Sequence, residues 1–330
     1  MKKYLTLITL FVLLLIGFLA YWWSSSTKAP SDSESKVRFV IVQGRGASQI
    51  ASELYKSGLI KSPLAFKFYV QLTGRASKIS AGEFEIGQNL SMYEVIQELS
   101  GGPLELWVTI PEGFRKEEVV ERFITGLEIS TDSAEKFRTD FLNNAKEGYM
   151  FPETYLFPRD VSGIVVAARM MELFEDKVVN INSEIEKSDL SLQEIITLAS
   201  IVERETKTNE ERPVVAGILM NRLKIGMALQ ADATAQYAVA NVRCFRKTVK
   251  CTNWWTPPTL EDLEINSPYN TYKFPGIPPA PIANPGYSSI AGVVNPTITD
   301  YLFYIHDSEG NIHYAKTLAE HNQNISKYLR

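Results

Sequence analysis

The chain has 330 residues, 45% of them hydrophobic and 22% charged, and a formal net charge of −4. That length suggests two or three domains, and the apolar content excludes wholesale disorder. The lack of a basic excess leaves no footprint for a nucleic-acid partner.

The first predicted element is the run Tyr4 to Trp23, which carries no formal charge and is long enough to cross a hydrocarbon core. Lys2 and Lys3 precede it, and Tyr21, Trp22 and Trp23 close it. Basic residues favour the cytoplasmic side and aromatic rings the far interface, so the rest of the chain is expected outside the cytoplasm. The alternative is a cleaved signal peptide. The length of the run and the lack of a small-x-small motif after it favour an uncleaved, single-pass anchor. Residues 24–36 (SSSTKAPSDSESK) are poor in core formers and read as a flexible tether.

Val37 to Gln43 alternates as a strand does, with Val37, Phe39 and Ile41 on one face. Ile50 and Leu54 mark a helix. Ser62-Pro63 reads as the N-cap and first position of a second helix, ending near Gly74. Phe84 and Ile86 mark another strand. Ser91 and Glu94 form a capping box for a helix that stops at Gly101-Gly102. The order strand, helix, helix, strand resembles a LysM-type glycan-binding unit over residues 37–102. Leu104 to Ile110 is a further strand, followed by helical segments and the aromatic stretch EGYMFPETYLFP (147–158). Its rings either pack a rigid loop or wall a sugar groove.

A long helix is predicted over Ile164 to Asn180. Ser191 and Glu194 cap the next helix, through about Glu205, and another runs from Asn209 to Leu223. Residues 253–286 are rich in Pro, Asn and Tyr and read as a long functional loop. The chain closes with strands near Tyr301 to Ile305 and His313, then a helix capped by Thr317 and Glu320. These elements predict an α+β fold. The cysteines, Cys244 and Cys251 in CFRKTVKC, are close enough for a local disulfide in an exported domain.

The segment LASIVERET (198–206) concentrates the chemistry. Ile195, Leu198, Ala199 and Val202 make an apolar helix face. Glu203 and Glu205 flank its C-terminal end, projecting about 160° apart at 3.6 residues per turn. The helical wheel alone leaves open which one faces a cleft. A carboxyl group beside an apolar wall has its charged form disfavoured, and so stays protonated near neutral pH as a general acid must. No Ser-His-Asp set or phosphate-binding glycine loop competes.

The chain resembles the endolytic murein transglycosylases of the MltG (YceG-like) family over nearly its whole length. The resemblance rests on EGYMFPETY, SIVERET, NRLKIGMALQADATAQYA (221–238) and SPYNTYKFPGIPPAPIANPG (267–286), in that order. It implies a cytoplasmic tip (1–3), a transmembrane helix (4–23), a linker (24–36), a LysM-like subdomain (37–102) and a YceG-like catalytic domain (103–330). The family's catalytic glutamate precedes threonine in an E-x-E-T pattern, which here is Glu205 before Thr206. Two further segments resemble substrate-facing motifs and supply Gln230, Asp232, Thr234 and Tyr237, and Tyr269, Asn270, Thr271 and Tyr272. Amides and hydroxyls suit a sugar polymer. Ala233 stands where the family often has proline and Ala238 where it often has glycine, and the cysteine loop is not a general family feature.

The activity implied is cleavage of β-1,4 bonds between N-acetylmuramic acid and N-acetylglucosamine in glycan strands, leaving 1,6-anhydro ends. No metal or cofactor is implied. The expected partners are peptidoglycan glycan strands, nascent ones included, and the synthesis machinery that sets their length. The location is the bacterial inner membrane with the catalytic domain on the periplasmic side. A water-using muramidase with Asp232 as second carboxylate, and a non-catalytic wall-binding scaffold, are the rival readings.

Overall fold

The computed structural model describes residues 2–42, 44–102, 105–246 and 253–329. It is a mixed α+β molecule that divides into two compact units. The first comprises residues 1–108, 126–129 and 155–160, and the second comprises 109–125, 130–154 and 161–330.

The first unit begins with α1 (Lys2–Ser26), whose stretch Ile8–Ser26 is long and apolar enough to cross a membrane. Then come β1 (Lys36–Ile41), α2 (Ala47–Lys56), α3 (Pro63–Leu72), β2 (Gly82–Gly87), α4 (Met92–Gly101) and β3 (Glu105–Thr109). β1 and β2 are antiparallel, with Val37 opposite Ile86 and Phe39 opposite Phe84. The two-residue period sends Phe39, Ile41, Phe84 and Ile86 to one side, where they pack with Ile50, Leu54, Phe66, Val70, Ile96 and Leu99. The Ser62 hydroxyl accepts from the Ala65 N–H ahead of a first-turn proline, and Ser91 and Glu94 cap each other's backbone. β4 (Thr154–Pro158) completes the sheet order β1-β2-β3-β4.

Two stretches of this unit make contacts that the sequence did not specify. Trp22 and Trp23 pack against the unit's core, and Trp23 donates its indole N–H to the Tyr93 hydroxyl at 2.9 Å. The polar stretch 24–36 is bonded to the unit near both of its ends. It opens as the last helical turn of α1, the Thr27 carbonyl accepts from the Met92 N–H at 3.0 Å, and the Ser35 carbonyl accepts from the Gln88 N–H at 3.0 Å. Side-chain composition predicts a tether, but backbone groups supply the bonds.

The second unit contains α5 (Lys116–Gly126), α6 (Thr131–Asn144), α7 (Gly163–Val178), the single turn α8 (Asn182–Ile185), α9 (Leu192–Glu205), α10 (Glu211–Lys224), α11 (Asp232–Arg246), α12 (Tyr287–Val294), the hairpin β5 (Phe303–His306) and β6 (Ile312–Ala315), and α13 (Leu318–Tyr328). The sequence reading gave no helix at α11 or α12. α9 is its axis. Every residue from Ile195 to Val202 is buried, so the helix is enclosed on all sides rather than amphipathic, and it packs on α10, α11 and α12. Met150, Phe151, Tyr155 and Phe157 of the aromatic stretch are also buried, so these rings fill interior space.

Cys244 lies on α11, but the expected bond to Cys251 falls outside the described residues.

Candidate active site

α9 is fixed at both ends. Ser191 and Glu194 close its N-terminus in a reciprocal capping box, and the Thr206 hydroxyl bonds back to the Val202 carbonyl at 2.7 Å at its C-terminus. Mid-helix, the buried Ser200 hydroxyl accepts from the Ile282 N–H at 3.0 Å, and the Gln193 amide reaches the Pro279 carbonyl at 2.9 Å. The proline-rich loop is thereby laid along the helix that carries both glutamates.

Glu203 is 6% exposed and fully engaged. It accepts from the Arg212 guanidinium at 2.9 Å, the Gly286 N–H at 3.0 Å and the Ser289 hydroxyl at 2.7 Å. Arg212 also bonds Glu112 at 2.9 Å. This carboxylate ties α9 to α10 and to the start of α12. A Cβ at Gly286 would sit 1.8 Å from a Glu112 carboxylate oxygen, so a larger residue there would push the Glu112 side chain aside.

Glu205 lies on the other side and lines a cleft of about 460 Å³. Its Oε1 accepts from the Ala233 N–H at 3.2 Å and its Oε2 from the Tyr304 hydroxyl at 3.0 Å. Burial drives its pKa above the ordinary carboxylate value, with the Asp232 charge adding to the rise; the two donors work against it. A carboxyl held this way grips its proton more tightly than a solvated one, yet has two preset donors for the charge that appears when the proton leaves. One of them is the first turn of α11, whose dipole also favours that negative charge.

The rest of the cleft wall includes Gln230, Asp232, Tyr272, Arg222, Phe303, Tyr304, His306 and His321. Gln230 has a left-handed backbone, φ 47°, which turns the chain into α11. The Tyr272 hydroxyl donates to Asp232 at 2.5 Å. Burial, then the Asp232 bond, raises the Tyr272 pKa, and burial with the Glu205 charge raises that of Tyr304. Both phenols therefore remain donors at neutral pH. Arg222 spends two nitrogens on the Leu302 and Leu229 carbonyls that frame the cleft. Among the described residues, no three His, Cys, Asp or Glu side chains gather as metal ligands would.

The eight residues singled out beside Glu205 separate into two sets. Gln230, Asp232 and Tyr272 share its cleft. Thr234, Asn270 and Thr271 are buried behind it. The Thr234 and Thr271 hydroxyls bond each other at 2.8 Å, Thr271 Oγ1 accepts from the Ala231 N–H at 3.1 Å, and Asn270 donates to the Leu263 and Ile265 carbonyls. They staple the loop at 267–272 to the start of α11, and so hold Asp232 and Tyr272 together. Tyr237 and Tyr269 pack ring to ring at 4.8 Å, with the Arg115 guanidinium over Tyr237 at 4.4 Å, and neither lines the cleft.

Five wall residues were not among the candidates read from the sequence: Arg222, Phe303, Tyr304, His306 and His321. A strand was predicted across Tyr304, but the hairpin bond to Glu205 spans 99 positions. The available signal was the strand period, which puts Tyr304 and His306 on one face.

Glu147, in the aromatic motif, is a further buried carboxyl. Its pKa is pushed up to about 8, by burial first and the neighbouring Glu117 charge second. It accepts from the Lys116 N–H at 3.0 Å and the Asn284 amide at 3.1 Å. Asn284 also takes the Gly148 and Met150 N–H groups, so it joins the EGYMFPETY and IANPG segments.

Comparison with known proteins adds the following. The YceG-like family model matches residues 39–327. An endolytic murein transglycosylase of Bacillus subtilis (strain 168) is 33% identical, over 96% of this chain and 91% of its own. An endolytic murein transglycosylase of Streptococcus pneumoniae (D39) is 25% identical over 95% of this chain and 62% of its own. The crystal structure of a yceG-like protein from Listeria monocytogenes superposes with a TM-score of 0.59 at 27% identity, covering 88% of this chain and 99% of that one.

Proposed function

The chain belongs to the YceG-like family, and from that premise and the surroundings of Glu205 we propose that it is an endolytic murein transglycosylase with Glu205 as its single acid/base. The observation that carries the assignment is one carboxyl lining a cleft, its pKa raised by desolvation and facing two donors. Glu205 gives its proton to the glycosidic oxygen between N-acetylmuramic acid and N-acetylglucosamine. The muramyl C6 hydroxyl attacks the anomeric carbon and returns its proton to Glu205. The bond to the leaving oxygen breaks, the bond from O6 to C1 forms, and the product ends in a 1,6-anhydro sugar. The nucleophile belongs to the substrate, so the paired carboxylates of most glycoside hydrolases are not needed.

The Ala233 N–H and Tyr304 hydroxyl stabilise the carboxylate between the two proton transfers. Gln230, Asp232 and Tyr272 line the path of the glycan. Thr234, Tyr237, Tyr269, Asn270 and Thr271 support that wall from behind. The stretch Ile8–Ser26 anchors the protein in the inner membrane with the catalytic part outside the cytoplasm, where nascent strands and the synthesis machinery lie. The unit around β1 and β2 is LysM-like and holds glycan. Cys244 and Cys251 pair in that oxidising location.

The location of Asp232 in the same cleft supports one second reading, in which it activates a water. Incubating the full chain with purified glycan strands and weighing the products decides. Anhydro ends are expected from wild type, with none from Glu205→Gln although strands still bind. Reducing ends carrying an added water would favour the second reading, and unchanged release by Glu205→Gln would exclude Glu205 as the acid.

A further inference from the structure

α3 buries one side and leaves the other uncovered. Ala65, Phe66 and Val70 are in the core, while Leu64, Phe68 and Leu72 are 70%, 56% and 72% exposed. Their i, i+4, i+8 spacing makes a single apolar stripe along the outer face of a ten-residue helix. Such a stripe on a water-facing surface marks a contact site.

The location of the stripe identifies the contact. Phe68 meets the Trp23 ring edge-on at 5.9 Å, and Trp23 lies three residues before the end of α1 at Ser26. Trp22 and Trp23 pack on the same core that α3 covers, so α1 and α3 are fixed to each other within one unit. The stripe is therefore continuous with the end of the apolar span.

The charge pattern agrees. Lys56, Lys61, Lys67, Arg75 and Lys78 lie on or beside α3, and no Asp or Glu stands between Glu53 and Glu83, in a chain whose net charge is negative. Lys67 is exposed within the helix itself. An apolar stripe in a segment whose formal charges are all cations is the composition of a helix lying in a lipid interface, with its side chains among the acyl ends and its cations at anionic headgroups.

We propose that Leu64, Phe68 and Leu72 of α3 insert into the anionic headgroup layer of the same bilayer that α1 spans, giving the first unit a second membrane contact. The proposal rests on the reading of α1 as an uncleaved anchor. With it, the two tryptophans and the stripe set the first unit flat against the membrane surface in place of a domain swinging on a tether.

The test uses the full chain in a Cys244→Ser, Cys251→Ser background, reconstituted in phosphatidylethanolamine–phosphatidylglycerol vesicles. A bimane label is attached at Leu64→Cys, Leu72→Cys or Phe11→Cys and quenched by nitroxide lipids of two depths. The labels at 64 and 72 are expected to lose several-fold more emission to headgroup-proximal nitroxide than to deep nitroxide, and the label at 11 the reverse. Deep quenching at 11 with none at 64 and 72 overturns the surface contact and leaves the anchor standing. No quenching at any site overturns both. Labels at 64 and 72 shielded from aqueous acrylamide but untouched by nitroxide lipid would give the face to a protein partner, and would equally overturn the proposal.

Discussion

Glu203 and Glu205 leave the same last turn of α9 and enter opposite kinds of surroundings. Glu203 meets a cation and two neutral donors in a closed junction. Glu205 meets two neutral donors, a nearby Asp232 charge and an open cleft whose wall also holds Arg222 and His306, neither of which bonds it. Both are buried, so burial alone does not distinguish a catalytic carboxyl from a structural one. The bonded counter-charge does. A desolvated carboxyl gripped by an arginine is spent on architecture. One desolvated with no cation bonded to it has its charged form disfavoured, and so is the better proton donor.

That contrast predicts opposite outcomes for the same conservative change. Glu205→Gln is expected to lose about 10²–10⁴-fold in turnover, the usual worth of general acid–base catalysis, with no loss of thermal stability. Glu203→Gln leaves Arg212 with Glu112 as its one carboxylate partner and weakens the bonds from Gly286 and Ser289, so its melting temperature is expected to fall. Melting curves alongside turnover corrected for folded fraction would break the comparison if Glu203→Gln melted normally.

Behind the cleft the effects are smaller. Thr271→Val leaves the buried Ala231 N–H without its acceptor, at about 1–3 kcal/mol for a buried polar group, while the Thr234 hydroxyl keeps the Ala231 carbonyl. Denaturant unfolding should register that loss, and KM should rise as Asp232 and Tyr272 drift apart; unchanged stability would mean the staple is dispensable.

Much of this arrangement was legible in the sequence, and what was not has physical reasons. The capping boxes at Ser91, Ser191 and Thr317 are local, and each helix starts where its cap predicts. α11 was hidden because its apolar positions are mostly alanine, which gives a weak periodic signal. α12 is only eight residues long and follows a proline-rich loop. The roles of the two glutamates depend on Arg212 and Ser289 for one and on Tyr304 and the start of α11 for the other. All but Arg212 are remote in sequence, and even Arg212 reaches Glu203 only through the fold. The two threonines looked like sugar contacts because hydroxyls serve a ligand and a loop equally well.

The smallest effects concern protons. Tyr304→Phe removes a donor to the ionised form of Glu205, so that carboxyl should hold its proton to higher pH and the alkaline limb of the rate profile should move upward. A limb that moved down would contradict the role given to Tyr304. Glu147, with its folded-state value raised to about 8, favours the folded state fully below the unfolded carboxylate range. That contribution is lost as pH rises through about 8. Glu147→Gln should accordingly flatten the fall in melting temperature between the ordinary carboxylate range and about 8. An identical fall in both proteins would show that Glu147 is ionised in the fold.

The central claim is that one carboxyl group suffices because the substrate supplies its own nucleophile. Digestion of purified glycan strands by the full chain in water enriched with heavy oxygen tests this directly. The account predicts new 1,6-anhydro ends with no heavy oxygen at the cleaved carbon. Incorporation of one heavy oxygen at each new end would contradict it, and would make Asp232 the base of a hydrolytic reaction.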